Sequence, residues 1–277
     1  MAEAVLLVTD LDNTLLGDNA ASVRFAELWR ASAAGSKLVY ATGRDFDSYV
    51  WLVESGVLPA PDVSITSTGA DIRHASDPTL GEQWATFVAE VWKPEAALQA
   101  VSGFGFPVLE CTPLRLVLGL PEGASSDALH ARVDDMSAAL HRACDHSPEL
   151  VISTHHDGTF LDILPPGVDK GSAVAFVQKY FGFGDDATVV AGDSENDWAM
   201  LRLPGRRGVV VGNANPDLLK LCNTLGPDNK LYYAKAFYAE GVIEGLRHHR
   251  VIPANNAPIT AESTESAAAP KPVLVPS

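Results

Sequence analysis

The sequence has few cysteines, little positive charge and no long apolar run, and each shortage excludes a class of protein. Its three cysteines are far apart and lack the close C-x-x-C spacing of a zinc or thiol redox site. Against 35 acidic residues stand 20 lysines and arginines, so the net charge of −15 argues against a general nucleic-acid or anionic-membrane surface. No apolar run approaches the roughly 20 residues of a membrane-spanning helix.

The start of the chain also lacks a signal-peptide pattern. The segment MAEAVLLVTDLD has no basic region and passes directly from an apolar run into acidic residues. With cysteines typical of reduced packing residues, this favours a cytoplasmic protein that is neither cleaved nor anchored. A chain of 277 residues with 47% hydrophobic content predicts a sizeable core, in one large domain or two unequal ones.

What is present is an alternation of apolar runs and amphipathic segments. Short runs rich in valine and isoleucine, typical of buried parallel strands, occur at residues 5–10, 37–43, 62–69, 188–193 and 208–214. Segments with apolar residues three and four apart, typical of helices packed on a sheet, occur at 21–34, 45–56, 170–182 and 196–203. This alternation predicts an α/β fold with a doubly wound parallel sheet, whose ligands bind at the carboxyl ends of the strands.

The pattern changes in the middle of the chain. Residues 81–165 predict a strand, a helix and two further strands, which indicates an inserted α+β domain with turn-rich hinges. Residues 1–80 and 166–251 would then form one discontinuous core domain. Residues 252–277 are rich in alanine, proline and serine without periodicity, which predicts a disordered tail.

The first predicted strand ends in two aspartates, Asp10 and Asp12, one residue apart. Burying two carboxylates at a strand end costs stability unless a cation or hydrogen-bond donors accompany them. A simple turn, with the carboxylates bound to nearby amides, explains the pair equally well when it is taken alone.

Two further segments carry groups that bind phosphate. Thr42 offers a hydroxyl and Gly43 a bare amide that can approach an anion closely, although this segment can also cap the following helix. Lys170 begins a predicted helix, where a lysine opposes the helix dipole and a phosphoryl oxygen would give it a role. The alternative for Lys170 is a solvated surface residue.

A fourth strand ends in the acidic segment GDSEND. Asp193 and Asp197 lie four residues apart with Asn196 between them. Hard carboxylates without histidine or cysteine suit Mg2+ rather than zinc. A solvated acidic loop is the alternative.

In chain order, the motifs DLDNT, ATGR, DKG and GDSEND resemble the four motifs of the haloacid dehalogenase-like phosphatases. Longer segments are similar to the sucrose-6-phosphate phosphatase family, among them DLDNTLLGDNAASVRFAELW, PDVSITSTGADI, GTFLDILPPGVDKGSAVAF and AKAFYAEGVIEGL. The similarity runs over nearly all of residues 5–247 and is weak from about residue 95 to 150. It implies a Rossmann-like core with the inserted domain as a mobile cap of the C2 type.

The resemblance also implies a two-step mechanism. Asp10 attacks the phosphorus, and Asp12 protonates the departing sugar oxygen and then deprotonates the attacking water. The implied Mg2+ is held by the side chains of Asp10 and Asp193 and the main-chain carbonyl of Asp12, with Asp197 in support. Thr14 has the lesser role of supporting the turn.

The remaining implied site residues bind the substrate. Thr42, the amide of Gly43, Lys170 and Asn196 would bind the phosphoryl oxygens. Arg44 lies at the mouth, where the sugar is selected.

The implied substrate is sucrose 6-phosphate, hydrolysed to sucrose and phosphate, with sucrose-phosphate synthase as a possible protein partner. Three alternatives remain: another sugar phosphate such as mannosyl-3-phosphoglycerate, phosphoryl transfer by a phosphomutase, and a non-catalytic partner of the synthase.

The sequence departs from the family at two positions. Arg115 lies where the family has a His-Lys pair ahead of a cap strand, and could replace the lysine as a sugar contact, although the two cations are not equivalent donors. Glu195 replaces a usual glycine, and we expect its side chain to point to solvent.

His155 and His156 could touch sugar hydroxyls, but a solvated turn is the better interpretation. Tryptophans at 84 and 92 are expected to anchor the cap helix.

Overall fold

A computed structural model describes residues 4–32, 34–121, 126–144, 147–155, 158–226 and 229–254. The helices are α1 (Asn19–Ser32), α2 (Phe46–Glu54), α3 (Pro78–Val91), α4 (Pro94–Val101), α5 (Ser126–Ala143), α6 (Lys170–Phe181), α7 (Trp198–Leu201), α8 (Pro216–Cys222) and α9 (Tyr238–His248). The strands are β1 (Leu6–Thr9), β2 (Lys37–Ala41), β3 (Val63–Thr66), β4 (Asp71–His74), β5 (Val108–Cys111), β6 (Leu116–Leu120), β7 (Glu149–His155), β8 (Gly158–Leu164), β9 (Thr188–Gly192), β10 (Arg207–Val210) and β11 (Lys230–Tyr233). Short 3-10 helices occur at Ser67–Gly69, Ser102–Phe104, Asp185–Ala187 and Glu195–Asp197.

The main sheet is mostly parallel and has the order β11-β10-β9-β1-β2-β3-β4 within the described residues. Its neighbouring strands pair in parallel, except that β4 runs antiparallel to β3. Strand β1 lies between β2 and β9, with Thr9 opposite both Tyr40 and Ala191. The carboxyl ends of these strands therefore meet at one edge, and the predicted α/β fold is confirmed.

Alternating residues of the central strands bury two hydrophobic clusters, one on each face of the main sheet. Val5 and Leu7 pack with α1, α2 and α9 on one face, whereas Leu6 and Val8 pack with α3, α6, α7 and α8 on the other. This arrangement is that of a doubly wound sheet, and it places the polar strand ends at the rim of the core.

The two edge strands of the main sheet were not among the predicted strands. Strand β4 has the polar sequence DIRH, and β11 has the sequence KLYY with both terminal residues exposed. Neither carries the continuous apolar run of a strand that is covered on both faces, because each pairs on one side alone.

A second, antiparallel sheet has the order β5-β6-β8-β7 and fits the predicted cap. It packs with α4 and α5, which supply Ala97, Val101, Met136 and Leu140 to the core. Helix α3 begins at Pro78, after Asp77 caps it by accepting a hydrogen bond from the Thr79 amide at 3.0 Å. The domain boundaries at residues 81 and 165 stay predictions, although α3 continues through residue 81.

The end of the described chain is partly buried. Ile252, which the sequence assigned to the tail, is 4% exposed and packs in the cluster beneath α9. Residues 255–277 lie outside the described residues. None of the described helices is both long and apolar enough to cross a lipid bilayer.

Candidate active site

Three buried aspartates meet at the carboxyl edge of the main sheet. Asp10 directly follows β1, and its amide donates to the Ala191 carbonyl of β9 at 2.9 Å. Asp193 directly follows β9, and Asp197 closes the next turn. One carboxylate oxygen of each aspartate lies within 4.8 Å of the others, so the described residues include a cluster able to hold a metal ion.

Lys170 is the cation of this cluster and has no exposed surface. Its ammonium donates to Asp10 Oδ1 at 2.8 Å, Asn196 Oδ1 at 2.9 Å and Asp197 Oδ1 at 2.7 Å. Helix α6 carries it close to the acidic loop because the next residue is Gly171, where a Cβ atom would meet the Ala199 carbonyl oxygen at 2.3 Å. The alternative of a solvated surface lysine is therefore wrong.

The acidic loop is fixed by its own hydrogen bonds. Asp197 Oδ2 accepts from the amides of Asp193 at 2.9 Å and Ser194 at 3.1 Å. Thr14, expected only to support a turn, donates from its hydroxyl to Asp193 Oδ1 at 3.1 Å. Because these aspartates are buried, the alternative of a solvated acidic loop is also wrong.

The cluster carries more negative than positive charge, which shifts its pKa values. Burial raises the pKa of Asp10 to about 7 although Lys170 opposes the shift. Burial, together with the charges of Asp10 and Asp197, raises the pKa of Asp193 to about 9. Burial alone would lower the pKa of Lys170, but Asp10 and Asp197 outweigh it, so that pKa is raised. Three carboxylates thus share one ammonium, a charge balance that a hard cation would improve.

Thr42, Gly43 and Arg44 follow β2 and lie across the sheet edge from the acidic loop. The Arg44 amide donates to Thr42 Oγ1 at 3.1 Å. A Cβ atom on Gly43 would lie 3.9 Å from Asn196 Nδ2, so this backbone and that side-chain amide face each other closely. These groups place polar hydrogen-bonding atoms at the sheet edge near Asp10, where they can bind an anion.

Asp12 is held by Arg44. The guanidinium donates from Nε to Asp12 Oδ2 at 2.8 Å and from Nη2 to Asp12 Oδ1 at 2.7 Å. Both side chains are about one-third exposed, Arg44 at 33% and Asp12 at 28%. The bidentate pair fixes the orientation of the Asp12 carboxylate at the mouth of the site. The structure therefore brings every predicted site residue to one edge of the sheet.

Sequence reasoning missed the contribution of the strand end after β3. Thr68 has a positive φ of 56° and its amide donates to the Thr42 carbonyl at 3.1 Å. The signal was present, because the apolar run DVSIT ends in the polar residues STG at this same edge. Asn213 was also missed: its Nδ2 donates to the Asn13 carbonyl at 2.7 Å, and its Oδ1 accepts from the Tyr238 amide at 2.8 Å.

The expected sugar contacts have different outcomes. Arg115 is 7% exposed and contacts the core instead of lining an open sugar site. His156 lies outside the described residues, as does the side chain of His155. Trp84 and Trp92 are buried at 5% and 6% exposure, as expected of residues that anchor the cap helix.

A family model described as sucrose-6F-phosphate phosphohydrolase matches residues 3–112 and 125–250. The chain is 35% identical over 246 residues to a mannosylfructose-phosphate phosphatase of Agrobacterium fabrum, covering 88% of this chain and 96% of that protein. It is 28% identical to sucrose-phosphatase 1 of Nicotiana tabacum, covering 93% of this chain and 61% of that protein. The chain thus spans about three fifths of the tobacco protein.

A solved structure is also similar. The sucrose-phosphatase from Synechocystis sp. PCC6803, in complex with sucrose and phosphate, matches with a TM-score of 0.79 and 27% identity. The match covers 89% of this chain and 98% of that chain. Because the family model covers most of the sequence, the chain belongs to the sucrose-6F-phosphate phosphohydrolase family, and the family resemblance of its motifs is confirmed.

Proposed function

We propose that the chain is a Mg2+-dependent phosphatase that hydrolyses sucrose 6-phosphate to sucrose and phosphate through an aspartyl-phosphate. The observation that carries the proposal is the buried Lys170, which joins Asp10 to Asn196 and Asp197 at the sheet edge. A carboxylate nucleophile and the phosphate that it attacks are both anions, so a cation beside them is needed to reduce their repulsion.

The residues around the cluster fit a bound Mg2+. The available donors are carboxylate oxygens, and three carboxylates are balanced by one lysine. The side chains of Asp10 and Asp193 and the main-chain carbonyl of Asp12 would hold the ion, and Asp197 would support them through its bonds to the loop amides. A bound Mg2+ would reduce the repulsion between the Asp10 carboxylate and the phosphate.

In the first step, an Asp10 oxygen forms a bond to phosphorus while the bond from phosphorus to the sugar oxygen breaks. Asp12, in its protonated form, gives that sugar oxygen its proton. Arg44 makes one contact to each oxygen of Asp12, which fixes the carboxyl group while leaving a lone pair on each oxygen that can carry the proton.

In the second step, Asp12 takes a proton from water as the water oxygen forms a bond to phosphorus. The bond from Asp10 to phosphorus then breaks, which restores both aspartates and releases phosphate. During both steps the Thr42 hydroxyl, the Gly43 amide, Lys170 and Asn196 would donate to the phosphoryl oxygens. Lys170 already donates to three acceptors, so it would exchange one of them for phosphate.

A second candidate substrate is mannosylfructose phosphate. It is favoured by the 35% identity to the Agrobacterium phosphatase, which exceeds the 28% to the tobacco sucrose-phosphatase. The two substrates differ in the hexose joined to fructose, so the catalytic residues serve either one. Association with sucrose-phosphate synthase and a cytoplasmic location stay predictions.

Phosphate release separates these candidates. We expect release from sucrose 6-phosphate in Mg2+ and loss of release in EDTA, with mannosylfructose phosphate, mannosyl-3-phosphoglycerate and mannose 6-phosphate assayed in parallel. Asp10→Asn should lose at least about a thousandfold in kcat, because the nucleophile is removed. Asp135→Asn is the matched control, since Asp135 is exposed on α5.

Faster release from another sugar phosphate would reassign the substrate. Full activity in EDTA, or full turnover by Asp10→Asn, would refute the proposed chemistry. Isomerised sugar phosphate without free phosphate would indicate a phosphomutase.

A further inference from the structure

Arg115 is a buried cation that the proposed chemistry does not use. It directly precedes β6 in the second sheet, yet its guanidinium contacts both halves of the molecule. Nη1 lies 2.8 Å from the Gly43 carbonyl oxygen and 3.4 Å from Thr68 Oγ1, both on the main sheet's carboxyl edge. On its own sheet, Nη1 lies 3.1 Å from Asp162 Oδ1, and Nε and Nη2 lie within 3.2 Å of Glu110.

These contacts argue against a direct sugar contact. All three guanidinium nitrogens have acceptors within the described residues, and the side chain is 9% exposed. Glu110 and Asp162 hold the planar group from two directions, which fixes the direction in which Nη1 donates. The contacts with Glu110 and Asp162 therefore orient the guanidinium so that Nη1 donates to the Gly43 carbonyl.

The acceptor on Gly43 belongs to the phosphate-binding segment. Its carbonyl and the Arg44 amide form one planar peptide unit, so fixing one group fixes the other. That Arg44 amide donates to Thr42 Oγ1 at 3.1 Å. Because the Thr42 oxygen accepts this bond, its hydroxyl proton is left to donate to a phosphoryl oxygen.

The nitrogen of the same peptide unit is the backbone nitrogen of Arg44, the residue whose side chain binds Asp12. Arg44 contacts the Asp12 carboxylate with two nitrogens, and the Arg44 carbonyl accepts from the Ser67 amide at 2.7 Å. A rotation of the Gly43–Arg44 peptide would therefore displace the Thr42 hydroxyl, which is proposed to donate to phosphate. It would also displace the backbone of Arg44, whose side chain binds Asp12.

We propose that Arg115 is a positioning residue that holds the Gly43–Arg44 peptide from the second sheet, so that phosphate binding at Thr42 depends on the docking of that sheet. The proposal rests on the proposed function, since it assigns Thr42 to phosphate. Arg115 itself touches neither the sugar nor the reacting atoms.

Arg115→Lys is the main test. Lysine keeps a positive charge between Glu110 and Asp162, but a single ammonium cannot match the three-sided contact that also reaches Gly43. The control is Arg132→Met, which removes an exposed arginine of α5 that donates to the Phe104 carbonyl at 2.7 Å.

Three assays are carried out on each variant: steady-state kinetics, giving kcat and KM on sucrose 6-phosphate and on p-nitrophenyl phosphate; calorimetry of inorganic phosphate binding; and thermal unfolding, giving the melting temperature. For Arg115→Lys we expect about tenfold lower kcat/KM on both substrates and about tenfold weaker phosphate binding, because a hydrogen bond from a charged donor is lost. Its melting temperature should stay near that of the wild type. Arg132→Met should change none of these.

Unchanged phosphate binding by Arg115→Lys would overturn the proposal. A loss confined to sucrose 6-phosphate, with p-nitrophenyl phosphate unaffected, would also overturn it, since that pattern belongs to a direct sugar contact. If the wild type does not hydrolyse sucrose 6-phosphate, the proposed substrate is wrong, while inorganic phosphate binding still decides the role of Arg115.

Discussion

Replacing Asp193 by asparagine should stabilise the metal-free protein and abolish the proposed binding of Mg2+. The Asp193 carboxylate is buried, and burial with the charges of Asp10 and Asp197 raises its pKa to about 9. Asparagine removes the charge while its Oδ1 can still accept from the Thr14 hydroxyl, which now donates at 3.1 Å. The variant therefore avoids the cost of burying a carboxyl group that must either take up a proton or stay charged, and it keeps the hydrogen bond.

The size of the gain follows from the pKa difference. The Asp193 pKa rises from 3.8 unfolded to about 9 folded, so its contribution to stability is complete below 3.8 and is lost as the pH rises toward 9. At about pH 7 the loss reaches at most about 4 kcal/mol, at about 1.4 kcal/mol for each pH unit. Solvent relaxation around the cluster reduces this to on the order of 2 kcal/mol. At about 2–4 °C per kcal/mol, the melting temperature should rise by about 4–8 °C.

The assay is thermal unfolding of the wild type, Asp193→Asn and Asp197→Asn in EDTA and in Mg2+, between about pH 6 and pH 9. Mg2+ should raise the melting temperature of the wild type but not that of Asp193→Asn. Asp197→Asn should be destabilised by about 1–3 kcal/mol, because Asp197 accepts from Lys170 and from two loop amides. A lower melting temperature of Asp193→Asn in EDTA, or a gain that shrinks as the pH rises, would refute the reasoning.

Two further predictions concern residues outside the acidic cluster. Asn213→Ala should lower the free energy of unfolding, measured in urea, by about 1–3 kcal/mol, because the Asn13 carbonyl and the Tyr238 amide lose their hydrogen-bond partner. It should also reduce kcat, and an unchanged kcat would show that Asn213 supports the fold without affecting catalysis. His249→Gln should lessen the loss of stability on acidification below 6.5, because burial lowers the pKa of His249 from 6.5 despite its bond to Gly208, and the unfolded chain therefore protonates first. Urea unfolding at about pH 7 and about pH 5.5 measures how much stability the wild type and His249→Gln each lose on acidification. Equal losses would show that protonation of His249 does not destabilise the fold.

The sequence predicted the location of the site better than its internal contacts. Because parallel strands end at one edge of a sheet, the polar residues after β1, β2 and β9 could be assigned to one place from the pattern alone. The residue types then indicated phosphate and metal binding.

The contacts within the site could not be predicted in this way. Lys170 meets Asp10 across 160 residues, and Arg115 meets Gly43 across 72 residues. Such pairings depend on how the helices and the second sheet pack, and no local periodicity encodes them. Edge strands β4 and β11 escaped prediction for a related reason, since their half-exposed positions carry polar residues.

Helix α3 determines how chimeras of this enzyme can be built. Trp84 donates from Nε1 to the Gly69 carbonyl at 2.9 Å, and its ring lies 5.0 Å from that of Phe176 on α6. A graft of a foreign cap at residue 81 would cut this helix inside its first turns and replace a tryptophan that packs on the recipient. The exchanged segment should instead begin at Asp77, so that α3 is transferred whole. The residues at positions 69 and 176, which contact Trp84, should then be chosen to fit the donor's helix.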